Sequence, residues 1–261
     1  MNLKGRLIPI FTEGNILTGE MLEEMKEYAV GFAKLSYAEY GKGILKGCNL
    51  TTTDSHITLH PGIVICFQEP ILITMPAAIP YYPVNRWTAL KLEVDKEYES
   101  SSFSIRNMNL TLTEDLETKE NAIELCRFRL QKGAKLRTEY REFKDCNTEF
   151  DIINQIYSEW AAYKETTFSP EILRNYAEEL MKSEIVNPWD MVFVQQIFNN
   201  HGEPLERKAI QMYLSQRLGG DMNECSNMAI YERLTKVLEK AKGEITSPVR
   251  RQGSGRRIMV D

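Results

Sequence analysis

His56-Ile57-Thr58-Leu59-His60-Pro61-Gly62-Ile63-Val64-Ile65 decides the class of this 261-residue chain. Ile57 and Leu59 alternate with His56, Thr58 and His60, the period of a strand with one face in a core and the other outside. Pro61 presets its own φ and Gly62 tolerates a positive one, so His60-Pro61-Gly62 reads as a turn. A second apolar run, Ile63-Val64-Ile65, follows at once. Two strands around a tight turn make antiparallel β structure.

The same grammar extends in both directions. Short alternating or β-branched runs, punctuated by Pro, Gly, Asn and Asp, predict strands over Gly43 to Thr51, His56 to Leu59, Gly62 to Phe67, Ile71 to Met75, Trp87 to Val94, Phe103 to Leu112 and Ile123 to Leu130. In Leu125-Cys126-Arg127-Phe128-Arg129-Leu130 the arginines share one face, and Cys126, Phe128 and Leu130 the other. The segment Pro76 to Pro83 holds three prolines and two tyrosines. It reads as a rigid exposed connection, because proline cannot donate to a central ladder. Upstream, Met21, Leu22, Met25, Ala29, Phe32 and Leu35 mark one face of a helix over Thr18 to Tyr37, with Thr18 as its N-cap. That face is expected to pack on the strands that follow.

From about Thr148 the strand signals give way to helical spacing. Phe150, Ile153, Ile156, Tyr157 and Trp160 predict a first helix. Ser169-Pro170-Glu171 opens a second with a cap, an N1 proline and an early acid, with Ile172, Leu173, Tyr176, Leu180 and Met181 inward. Asn187-Pro188-Trp189-Asp190 repeats the pattern, with Asp190 read as completing a capping arrangement. Helices over Glu203 to Leu218 and Ser226 to Lys240 follow, the former with Leu205, Ala209, Tyr213 and Leu214 inward. The whole is an α+β chain: a β-rich part over 1–145, a small helical bundle over 146–246, and an extended basic arm over 247–261.

Composition narrows the classes. Hydrophobic residues are 43% of the chain and charged residues 26%, the balance of a globular protein. No stretch approaches ~18 consecutive apolar residues, and the N-terminus lacks a basic start followed by an apolar run, so neither membrane insertion nor secretion is expected. Cys48, Cys66, Cys126, Cys146 and Cys225 are odd in number and never arranged as C-x-x-C, which points to synthesis in a reducing cytoplasm without zinc or disulfide frameworks. The net charge of −5 disfavours nucleic acid as a partner. The arm differs: Arg250, Arg251, Arg256 and Arg257 stand against Asp261, a net +3 that leaves −8 on the preceding body. A solvated terminus, a nucleic-acid patch and a protein-docking arm all fit such a segment, and the acidic body favours docking. Ile258-Met259-Val260 at its end could add a strand to a partner's sheet edge. Tyr81 and Tyr82, in the proline-rich connection, are the other candidate partner contacts.

No constellation for chemistry emerges. Asp54-x-His56-x-Thr58-x-His60 shares one strand face, but at ~3.3 Å per residue its ends stand roughly 20 Å apart, too far for one ion. An outward polar face explains it, and no metal or cofactor is expected. The cysteines and histidines lack any nucleophile motif. His201 before Gly202 reads as a helix C-terminal residue. The glycines Gly41, Gly43 and Gly47 precede strands and not a helix, so they form no phosphate cradle. The chain is read as no enzyme.

Gly41-Lys-Gly-Ile-Leu-Lys-Gly-Cys-Asn-Leu50, a polar turn, His56-Ile-Thr-Leu-His-Pro-Gly-Ile-Val-Ile65, a strand over Ile71 to Met75 and Trp87-Thr-Ala-Leu-Lys-Leu-Glu-Val94 come in an order that resembles the N-terminal attachment domain of phage and tailocin tail fibre and baseplate proteins. The resemblance covers roughly residues 1 to 140. It implies a virion or tailocin component that docks other tail, baseplate or fibre proteins in several copies, without turnover chemistry. No long fibrous region follows the module, which favours a connector over a host-binding fibre. An assembly chaperone or regulatory binding module is the alternative, and a cell-wall hydrolase, which would need two carboxylates facing each other across a cleft, is a third.

Overall fold

The computed structural model describes residues 8–183, 187–220, 222 and 226–246. An N-terminal helix, α1 (Gly19–Tyr37), precedes a run of eleven strands: β1 (Gly43–Gly47), β2 (Leu50–Thr52), β3 (His56–Leu59), β4 (Gly62–Cys66), β5 (Glu69–Ile73), β6 (Ala77–Pro80), β7 (Thr88–Val94), β8 (Tyr98–Glu99), β9 (Ser104–Ile105), β10 (Met108–Thr113) and β11 (Ala122–Phe128). A 3₁₀ turn over Phe143–Asn147 leads to β12 (Trp160–Ala162) and β13 (Glu165–Thr167). The helices α2 (Pro170–Met181), α3 (Pro188–Asn199), α4 (Arg207–Leu218) and α5 (Asn227–Thr246) complete the described chain. The fold is α+β, as the patterning predicts.

The deciding stretch is the hairpin-like pair β3 and β4, but the two strands enter different sheets. β3 lies between β2 and β6, and β4 lies between β1 and β5 in a five-stranded sheet of order β13-β12-β1-β4-β5. The strand expected as one piece over Gly43 to Thr51 breaks because Gly47 and Cys48 both take left-handed φ, 68° and 58°. Gly62 cannot carry a side chain here, since a Cβ would lie 2.4 Å from the Cys48 nitrogen. A third sheet, β10-β7-β11, is antiparallel throughout. Its inward residues Leu90, Leu92, Ile123, Leu125 and Phe128 join Ile57, Leu59 and Val64 in one apolar core.

A second core fills the helical part, where Phe168, Ile172, Tyr176, Phe193, Tyr213, Ile230 and Leu234 are buried together with Phe143 and Cys146 from the 3₁₀ turn. The caps hold as read at two sites: the Ser169 side chain accepts from the Ile172 amide, and Asn187 Oδ1 accepts from the Trp189 amide at 3.0 Å. Met181, expected inward, is exposed.

Four expectations are corrected. Residues 150–160 form no helix. The Arg127 and Asn154 backbones exchange hydrogen bonds at 2.8 and 2.7 Å, Asp151 takes a left-handed φ of 63°, and Trp160 begins β12, which pairs parallel with β1. The proline-rich segment contains a strand, β6, tolerated because it is the edge partner of β3 with Pro80 opposite His56. Asp190, read as part of a cap, turns its carboxylate into the helical core toward Arg217 and the Tyr213 hydroxyl. Finally, α1 does not bury its apolar face: not one of its residues is buried.

Candidate partner interface

α1 forms as its sequence predicts. Thr18 Oγ1 accepts from the Met21 amide at 3.3 Å, Glu20 sits in the first turn and Lys34 in the last, both favourable to the helix dipole. It touches the body along one side only. Lys34 Nζ reaches Glu69 Oε1 at 2.7 Å, and this ammonium, hydrogen-bonded to the Glu69 carboxylate, holds that group below its ordinary pKa. Arg106 approaches the other Glu69 oxygen at 3.0 Å. At the helix end Tyr37 packs edge-on against Tyr40, with ring centroids 5.3 Å apart, over the small cluster of Leu45, Ile65 and Ala161.

The opposite side carries the residues that the periodicity assigned to a core. Leu22, Met25, Tyr28, Phe32 and Leu35 are all exposed, Phe32 by 65% and Leu35 by 82%. Tyr28 and Phe32 stack on each other, centroids 6.3 Å apart. Ile8, Ile10, Phe11, Ile16 and Leu17, which lead into the helix, are exposed as well. Contiguous apolar surface of this kind marks an interaction site on a folded protein. The sequence revealed the stripe but not its direction.

Of the candidate contact residues, Tyr81 is turned inward. It is 5% exposed, its ring meets Phe128 edge-on at 6.1 Å, and its hydroxyl donates to the Thr53 carbonyl at 2.7 Å. Burial corrects its assignment as a partner contact. Tyr82, one residue on, is 71% exposed. Arg250, Arg251, Arg256, Arg257, Ile258, Met259 and Val260 lie outside the described residues.

Elsewhere the titratable groups serve the fold. Burial pushes the Cys48 thiol up to about 12 and raises the Cys66, Cys126 and Cys146 thiols, so all four are poor nucleophiles. Asp145 accepts two hydrogen bonds from the Arg137 guanidinium, each 2.6 Å, which with the Arg141 amide and the Thr148 hydroxyl holds its carboxyl well below the usual range. Glu124 is buried beside Arg127 and across the sheet from Lys91, and its desolvation raises its pKa. In the helical core, Asp190 Oδ1 meets Arg217 Nε at 2.8 Å and accepts from the Tyr213 hydroxyl at 2.8 Å, which in turn lies 2.5 Å from the Tyr176 hydroxyl. Among the described residues no group of three or more His, Cys, Asp or Glu side chains is placed to hold a metal ion. Nor, among them, is any helix long and apolar enough to cross a membrane.

No family model and no curated protein matches the chain. Solved structures similar to it include the crystal structure of TssK, with TM-score 0.40 and 10% identity over 93% of this chain and 73% of that one. A chain of the type VI secretion system TssK-TssF-TssG baseplate subcomplex matches with TM-score 0.40 and 9% identity, over 91% of this chain and all of that one. One from the baseplate complex of the type VI secretion system matches at 0.34 and 8%, over 90% and 70%. The likeness is broad in extent and coarse in detail.

Proposed function

We propose that this protein is a structural component of a phage tail or phage-derived contractile particle, a baseplate part or a connector between baseplate and fibre, acting by docking other proteins. The observation that carries the docking role is the apolar face of α1, folded, capped and anchored by Lys34 and Tyr37 yet turned to solvent along Met25, Tyr28, Phe32 and Leu35. A helix amphipathic toward solvent is shaped for a partner. The order of strands and glycines over residues 41 to 94, with its resemblance to tail attachment domains, supports the class of particle.

In this reading the β-rich part, residues 1–145, docks one neighbour and the helical part, 146–246, another. Two separate apolar cores support two docking bodies, with Phe143 belonging to the helical core and Ile153 and Trp160 to the β-rich one. Arg250, Arg251, Arg256 and Arg257 bring positive charge to a neighbour's acidic surface, Ile258, Met259 and Val260 add backbone pairing, and Tyr82 is a further contact. The protein works in several copies.

The experiment is purification of the contractile particles made by the cell that encodes this chain, followed by cryo-electron microscopy. The chain is expected in the baseplate density at an integral multiple of the particle's symmetry. Its absence from finished particles overturns the structural role, and if assembly nevertheless requires it, the protein is an assembly chaperone.

A further inference from the structure

We infer that α1 is a self-association helix, whose exposed face is covered by the α1 of a second copy of this chain. The inference rests on the docking role proposed above and names the partner at that face. Met21, Met25, Tyr28, Phe32 and Leu35 are separated by four, three, four and three residues, the alternation of a coiled-coil seam. A seam with this repeat is complementary to itself, because each side chain enters the gap left by the same repeat on the facing helix. The helix spans roughly 28 Å at 1.5 Å per residue, enough for all five positions to meet a partner.

Charge agrees. Of the six charged residues of α1, Glu20, Glu23, Lys26, Glu27 and Lys34 fall outside the seam and its flanks; Glu24 lies on one flank with Gly31, and the other flank, Leu22, Ala29 and Ser36, is uncharged. The chain is acidic overall, yet the seam itself is uncharged, so two copies meeting along it bring no like charges together within it. Small residues at Ala29 and Ser36 allow close approach of the two backbones.

Area agrees as well. A whole aromatic side chain buries about 150–250 Å² and an aliphatic one somewhat less. At their observed exposures Leu22, Met25, Tyr28, Phe32 and Leu35 present on the order of 500 Å² per copy, or about 1,000 Å² over a pair. That reaches the threshold of a specific interface, and Ile16 and Leu17 just before the helix extend it.

The test is disulfide trapping in the full chain. Tyr28→Cys sits at the middle of α1, so it meets its counterpart whether the helices run parallel or antiparallel. Glu27→Cys lies off the seam, and the wild type gives the background from the native cysteines. Under mild oxidation Tyr28→Cys is expected to form a covalent dimer several-fold faster than Glu27→Cys. Wild-type protein should sediment at two or more times 30.2 kDa at concentrations on the order of ten micromolar, and Phe32→Glu at 30.2 kDa. Monomeric wild type together with equal trapping at both positions overturns the inference. If that chain is still found in purified particles, the docking role stands and α1 faces a different protein; if trapping succeeds but particles lack the chain, the particle assignment fails instead.

Discussion

Lys34 Nζ lies 2.7 Å from Glu69 Oε1, and this pair pins α1 to the start of β5 by the side that carries its charges. Phe32 and Leu35, two positions before Lys34 and one after, are thereby left facing outward. One ion pair and the Tyr37–Tyr40 contact orient the helix without covering it.

A helix that serves a partner and not its own body tolerates polar substitution. Phe32→Glu is expected to change unfolding free energy in dilute solution by no more than about 0.5 kcal/mol, as for other surface substitutions. Phe168→Ala, in the helical core, is expected to cost about 3–5 kcal/mol. Urea titration followed by circular dichroism compares the two. A comparable loss in both would mean that α1 packs on its own chain.

The Asp190–Arg217 pair predicts a large asymmetry between breaking and replacing. Their side chains are 2% and 1% exposed. Asp190→Ala removes the carboxylate that meets the buried Arg217 guanidinium and should cost about 3–5 kcal/mol. The double replacement Asp190→Leu with Arg217→Met removes both charges and should recover most of that loss. A double-mutant cycle in guanidinium measures it.

Gly43 predicts a backbone effect. Its φ is 145°, and a Cβ there would stand 2.6 Å from the Glu159 carbonyl oxygen that accepts from the Ile44 amide. Gly43→Ala must separate β1 from β12, and a loss of about 2 kcal/mol or more is expected. Gly31→Ala, with open space around it in α1, should instead stabilise by about 0.5–1 kcal/mol, from propensity alone. Thermal unfolding of both variants checks the contrast.

Acid should undo the Arg137–Asp145 lock. The folded carboxyl has its pKa depressed chiefly by hydrogen bonds from Arg137, so its stabilisation is fully present above the ordinary value of 3.8 and is shed as pH falls below about 4. Asp145→Asn is expected to be less stable than wild type at pH 7 and to lose less stability between pH 4 and pH 2. Parallel acid titrations of the two proteins would refute this if their stability difference did not change with pH.

Strands such as β3 and β11 were legible because Ile57 against Thr58, or Phe128 against Arg129, records which face is dry, whereas the prolines around β6 hid an edge strand. The helix caps at Thr18, Ser169 and Asn187 were legible because a short polar side chain before an amphipathic run has one local use. What local pattern could not convey was the identity of the neighbour. The stripe on α1 states that an apolar face needs cover without stating whose, and residues 150 to 160 carry helical spacing that long-range pairing with Arg127 and Arg137 overrides. Asp190 sat where a cap would sit, and only the fold brings Arg217 and Tyr213 to it. Gly41, Gly43 and Gly47, read in sequence only as forming no phosphate cradle, prove to be sites of close backbone approach.

The central claim, that the outward face of α1 joins this protein to an assembly, is tested most directly by replacing Phe32 and Leu35 together with glutamate in the encoding cell and measuring the chain in purified contractile particles against wild type. The doubly substituted protein is expected to fold and accumulate normally but to be depleted at least tenfold from particles. Incorporation at the wild-type level would contradict the claim.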